Sequence, residues 1–438
     1  MHRSFYLGLI LSGALLSGCS SFFSKEKTPL AGDRESIFLN SYDLRATSTI
    51  PATSVTLAAA ENRKNWPMAS GEADHASAPV ALSETLEKVW SQRIGEGGTG
   101  SNRLLNGPIV AEGLVFVADA EGLVTATSLK TGERVWEQKT IEEDVFTQPF
   151  AGGVAWDSGH LFVTTPAAEL VCLNARDGHL LWREKLAAPV RSSPTISKGR
   201  VYVATISNQL DAFEATTGKR LWTHTGIVES AGLLGGASPA VQGDVVVVAY
   251  TSGEIYALHA ENGYPLWSES LNMMSALDSV SALAHIKARP IIDKGLVYII
   301  SHGGRMSAID LRSGQTAWSR DLGGIRSPAV SNGFLFMLTN DNELVCLEQE
   351  TGKVVWVKVL PRHKNFDEKD EKILWAGPVL AGRSLVLTGS NGKMIFCSVQ
   401  GGEIEKVVDM EHSVALSPIF ADQTAIVLSQ EADLIAFR

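Results

Sequence analysis

The sequence predicts an all-β fold: one eight-bladed β-propeller of four-stranded antiparallel blades over residues 82–438, closed by pairing of an amino-terminal strand with the last blade. Three observations lead there. A repeat ends in Gly-x-x-x-Trp, eight prolines open its units, and the two ends of the repeat region each hold part of one unit.

The repeat reads approximately as Pro, an apolar stretch, a Gly turn, an apolar strand, a second turn and a strand ending in Ala or Cys and Leu or Phe, then Thr-Gly-x-x-x-Trp. Its terminal pieces are TGERVW (131–136), DGHLLW (177–182), TGKRLW (217–222), NGYPLW (262–267), SGQTAW (313–318) and TGKVVW (351–356), and a seventh, QGGEIEKVV (400–408), lacks the tryptophan. Pro108, Pro149, Pro194, Pro239, Pro290, Pro328, Pro378 and Pro418 open eight units spaced 38 to 51 residues apart, the length of a propeller blade.

Each slot has chemistry that suits a blade. Asn-Gly and Thr-Gly supply the positive φ that a hairpin turn requires. Alanine near the end of the third strand lets neighbouring sheets approach, and Trp136, Trp182, Trp222, Trp267, Trp318 and Trp356 are expected to bury large rings between blades. LIAFR at 434–438 reaches a third strand without a fourth, and TLEKVW at 85–90 is a fourth strand with no unit before it. Joined, they make one blade and leave no unpaired inter-blade edge.

Composition sets the class of partner. The 438 residues are 45% hydrophobic and 20% charged with a formal net charge of −10, a field that repels phosphate backbones, so no nucleic-acid partner is expected. MHRSFYLGLILSGALLSGCSS reads as a signal peptide over residues 1–18, its apolar run too short for a permanent membrane helix. Leu16-Ser17-Gly18-Cys19 resembles the bacterial lipobox, which implies a lipidated Cys19 and a membrane-held chain; Ser20, by analogy with lipoprotein sorting, favours the outer membrane and a periplasmic orientation. Residues 19–81 are rich in Ser, Thr, Ala, Glu and Pro without a sustained period and read as a lipidated, flexible linker, with a short helix near Leu57–Asn62. Cys172 and Cys346 occupy the alanine slot and, with Cys397, read as small buried thiols rather than a disulfide set.

The repeats resemble the quinoprotein-like propeller family, and lipobox, short linker and eight such blades together resemble the propeller lipoproteins of the outer-membrane β-barrel assembly machine. That resemblance implies a non-catalytic scaffold whose partner is the barrel-assembly protein's periplasmic domains. The rival readings are a quinone-dependent oxidoreductase and a generic periplasmic interaction module.

Enzymatic motifs are sparse. The sequence has no Cys-Cys pair, no His-x-x-x-His spacing and no Gly-x-Ser-x-Gly, and GEGGTG (95–100) is not followed by an amphipathic helix. Asp177, Asp211 and Asp310 sit in turn-proximal slots that side-chain bonds to backbone explain, and HKNFDEKDEK (363–372) reads as a solvated charged loop. No cofactor, metal site or small-molecule substrate is expected.

Residues the repeat does not explain cluster in long connectors from a Trp to the next Pro, all of which emerge on one face. HTGIVESAGLLGGAS (224–238) places Leu233 and Leu234 among glycines, and SESLNMMSALDSVSALAHIKAR (268–289) carries Met273 and Met274, so adjacent apolar loops form a candidate docking patch. The family resemblance points to the same connectors. Leu233 matches the second leucine of the family's Leu-x-Leu-Arg-Gly stretch, Leu234 replaces its arginine, and His285, Lys287 and Arg289 stand where the family often has acidic residues.

Overall fold

A computed structural model describes residues 44–438 except 84, 99–103, 142–151, 229–234, 272–284 and 366–369. Eight four-stranded antiparallel sheets form the propeller, and the described residues contain no α-helix. Blade 1 shows the pattern, with strands Ile109–Ala111, Leu114–Ala118, Leu123–Ser128 and Arg134–Lys139 running from the channel outward. Neighbouring sheets cover both faces of the inner three strands, so these strands are largely buried, whereas the outermost strand alternates toward solvent. Pro108, Pro194, Pro239, Pro290, Pro328 and Pro418 each sit just before an innermost strand; Pro378 lies within Trp375–Ala381, and Pro149 falls outside the described residues.

The ring closes as the sequence predicts. Lys88–Arg93 pairs antiparallel with Asp433–Phe437, with Trp90 opposite Ala436 and Arg93 opposite Asp433. Blade 8 therefore draws its outermost strand from the far side of the chain.

Tryptophan latches hold adjacent blades. Each ring stands opposite the small residue of its own blade: Trp136 faces Ala126, Trp182 faces Cys172, Trp318 faces Ala308 and Trp356 faces Cys346. Each indole Nε1 then donates to a carbonyl in the next blade, at 2.8–3.1 Å from Trp90, Trp136, Trp182, Trp222, Trp267, Trp318 and Trp356. The next blade's turn glycine lies flat on the ring. A Cβ at Gly314 would stand 2.7 Å from Trp267 Cγ, and φ there is +74°. Seven junctions carry this latch. At the eighth, between blades 7 and 8, Lys406 takes the tryptophan slot and faces Phe396, with Nζ 5.6 Å from that ring's centroid. Blade 8 joins its third and fourth strands from opposite sides of the chain, so no Thr-Gly turn exists there for a tryptophan to pack against. That explains the tryptophan missing from QGGEIEKVV.

The stretch expected as a linker behaves differently from Leu44 onward, where the chain belongs to the same compact unit as the blades. Innermost strands present open edges to the channel, and buried N–H and C=O groups need partners. Residues 63–80 supply them: Trp66 and Val110 exchange two backbone bonds, Trp156 N donates to Pro67 O, Val241 N to Ala73 O, Ile292 N to Asp74 O, and Val80 N to Leu380 O. Val55, Trp66 and Val80 are buried by this wrapping. Near Leu57–Asn62 the chain is extended, not helical, because Ala58 N donates to Ser331 Oγ and Glu61 bridges to Val80. The charged loop holds a two-stranded hairpin, His363–Asn365 with Asp370–Lys372.

Candidate functional site: connector face and central channel

The connector from blade 3 to blade 4 leaves strand Arg220–Thr225 through Gly226, where a Cβ would stand 2.5 Å from the Tyr250 ring. Only glycine lets the chain pass so close. Ile227 N donates to Glu254 Oε2 at 2.7 Å, and Asn208 Nδ2 donates to Ile227 O at 2.5 Å. Beneath them His224 stacks on Tyr250, its Nδ1 2.9 Å from the phenol oxygen, and Tyr256 donates to Glu254 Oε1 at 3.0 Å. Burial pushes the Tyr250 phenol up, aided by the neighbouring Tyr256 and Glu254, and lowers His224 against the opposing pull of Glu254. Both rings are thus neutral near pH 7. On this polar anchor Ile227 and Val228 stand 61% and 65% exposed. Sequence reasoning missed them, although they are the first apolar pair after the repeat ends at Trp222. Leu233 and Leu234, and Met273 and Met274, lie outside the described residues.

The remaining three candidates do not sit with the exposed apolar pair. His285 is buried, with its imidazole pKa lowered to about 4 by burial and then by Lys287, His302 and Arg191. Lys287 and Arg289 line a cavity of about 130 Å³ in the central channel. Arg191 and Arg326 line it too, and neither was singled out from sequence. Trp66, Ser70, His75 and Ser77 of the wrapping segment form another part of its wall. His75 is neutral, its pKa lowered to about 3 by burial and then by Arg289, and its Nδ1–H donates to Pro290 O at 2.8 Å.

The aspartates divide by role. Asp177 accepts His179 N at 3.0 Å, and Asp310 accepts Arg312 N, Ser313 N and Ser313 Oγ, bonds that hold its carboxyl below the usual range. These are turn bonds, as expected. Asp211 is instead fully buried within its blade, accepting from Thr223 Oγ1 at 2.6 Å and from Gln209 Nε2 at 3.0 Å. Cys172, Cys346 and Cys397 are free, buried thiols.

Comparison with known families decides the lineage. The profile described as "Outer membrane protein assembly factor BamB" matches residues 76–147 and 124–358. The chain belongs to the BamB family. Outer membrane protein assembly factor BamB of Yersinia pestis is 26% identical over 356 residues, covering 80% of this chain and 88% of that protein. The crystal structure of BamB from Moraxella catarrhalis superposes with a TM-score of 0.67 at 20% identity, over 81% of this chain and 100% of that one. A europium-containing methanol dehydrogenase shares the fold, with a TM-score of 0.65 at 15% identity over 84% of this chain and 89% of that one.

The dehydrogenase likeness raises the question of a metal and quinone in a BamB-family channel. A hard cation needs several oxygen ligands, chiefly carboxylates. Among the described residues lining the cavity, four are cationic and none is Asp or Glu. The donor set does not fit a cation-dependent quinone centre.

Proposed function

We propose that this chain is a non-catalytic scaffold that assists outer membrane protein assembly by docking its connector face on the central barrel-assembly protein. Membership of the BamB family supports the assembly role, and the exposure of Ile227 and Val228 on a hydrogen-bonded base carries the choice of face. A few apolar anchors within a polar rim are the usual source of interface energy. Leu233 and Leu234 continue the same connector in sequence, with Met273 and Met274 in the next. Under this reading, removal of residues 1–18 leaves a lipidated Cys19 that holds the chain at the periplasmic face of the outer membrane.

The test is co-purification with the barrel-assembly protein from detergent-solubilised membranes. Val228→Asp and Leu233→Arg are each expected to reduce capture about tenfold, the loss of one anchor. Undiminished capture by both variants, with folding intact by circular dichroism, refutes the assigned face.

A further inference from the structure

The central channel carries chemistry that docking does not use. Connectors line it just before their opening prolines, and three of them carry cations: Arg191 lies three residues before Pro194, Lys287 and Arg289 three and one before Pro290, and Arg326 two before Pro328, while Gly235 and Gly236 precede Pro239. Blades 3, 5 and 6 thus present Arg191, Lys287, Arg289 and Arg326 to one cavity in a protein whose net charge is −10. None of the described residues lining it is acidic.

These side chains are built into place. Arg326 Nε donates to Trp375 O at 3.1 Å, and Arg289 N donates to Ser327 Oγ at 2.9 Å, which ties the connectors of Arg289 and Arg326 together. Lys287 runs over Gly235, where a Cβ would stand 2.6 Å from Lys287 Cε and φ is +108°. Two buried donors in the cavity wall, Arg289 Nε and Trp66 Nε1, have no acceptor among the described residues. Burial lowers the guanidinium pKa of Arg326 to about 10, and burial with the adjacent Arg326 does the same to Arg289, so both stay charged at neutral pH. Clustered like charges in a confined site repel one another, and donors without acceptors there are costly.

We propose that the channel is a binding site for one small oxyanion, phosphate or carboxylate, held by Arg289 and Arg326 with Lys287 and Arg191 completing the cationic wall. Arginine forks match both groups through paired N–H donors. The cavity, about 130 Å³, has room for a free ion or a short acid. This site is independent of the docking face.

Calorimetry on the purified mature chain, at constant ionic strength with chloride as the control salt, tests it with inorganic phosphate and citrate as probes. Wild type is expected to bind one equivalent of one or both, and Arg326→Gln and Lys287→Gln each to weaken binding tenfold or more. Tighter phosphate binding assigns the group as phosphate, and tighter citrate binding assigns it as carboxylate. Each variant is also expected to lose the rise in unfolding temperature that the bound anion gives wild type over chloride alone. Lys287→Gln serves alone if Arg326→Gln does not fold. Absence of saturable one-site binding to either probe, or equal binding by wild type and a folded variant, overturns the proposal.

Discussion

Two glycines with the same backbone angle separate the tryptophan latch from ordinary turn strain. Gly113 and Gly132 have φ of +76° and +77° and both sit in hairpin turns of blade 1. A Cβ at Gly113 meets nothing within 4 Å, whereas one at Gly132 stands 2.7, 2.8 and 3.0 Å from Cδ2, Cγ and Cβ of Trp90. Placing alanine at positive φ costs about 1–2 kcal/mol, so Gly113→Ala is expected to destabilise by that amount. Forcing a methyl into a packed contact adds about 1–3 kcal/mol, because the indole must leave its seat or the turn must shift. Gly132→Ala should therefore lose about 2–5 kcal/mol in total. Urea unfolding followed by circular dichroism reads both, as shifts in midpoint at constant slope. The difference between the two variants isolates the contact with Trp90, the ring that fastens the closing strand to blade 1. Equal midpoints for the two variants would show that Trp90 is not seated there and that the ring is not fastened as described.

Acid should destabilise the propeller before its carboxylates titrate. His75 and His285 have folded pKa values lowered to about 3 and 4, below the ordinary 6.5, so under pH 6.5 the unfolded chain binds more protons than the folded one. Their contribution is fully present above pH 6.5 and is lost as pH falls toward 4, by up to about 1.4 kcal/mol per pH unit for each group. Denaturation midpoints measured from pH 7 to 4.5 should show this slope, and His75→Gln should flatten it; an unchanged slope in the variant refutes the assignment. Burial pushes the Cys172 and Cys397 thiols up to about 12 and Cys346 higher still. A thiol reagent at pH 8 should leave all three unmodified in the native state and react with them on unfolding, so fast modification without denaturant would contradict their placement.

The ring was legible in sequence because its signals are local and repeated. Proline, turn glycine and tryptophan recur in fixed order, and the strand at 88–93 lacks a unit that only the last blade supplies. The wrapping of residues 44–81 was not legible, since that segment has no period and takes its conformation from channel-facing strand edges it meets only in the folded ring. His285, Lys287 and Arg289 illustrate the same limit at the site. Sequence placed them in a connector, but whether a connector residue faces the rim or the hub depends on the turn it makes before the proline. Aligning the units on their opening prolines sets Arg191 and Lys287 at the same position, three residues before the proline, with Arg326 two before and Arg289 one before theirs, a signal carried by comparison across repeats and by no single stretch. Ile227 and Val228 were hidden by their ordinary position directly after a strand.

Blade 8 imposes an order of events on the nascent protein. Strand Lys88–Arg93 emerges ahead of all the blades, yet its hydrogen-bonding partner Asp433–Phe437 comes after them, so the pairing is highly non-local and is expected to form late. In the interval Trp90 already has a seat, because Gly132 and the Leu129 carbonyl belong to the blade made next. Blade 1 can therefore hold the waiting strand by its indole while its backbone edge stays open, and arrival of the final hairpin turns an open arc into a hoop.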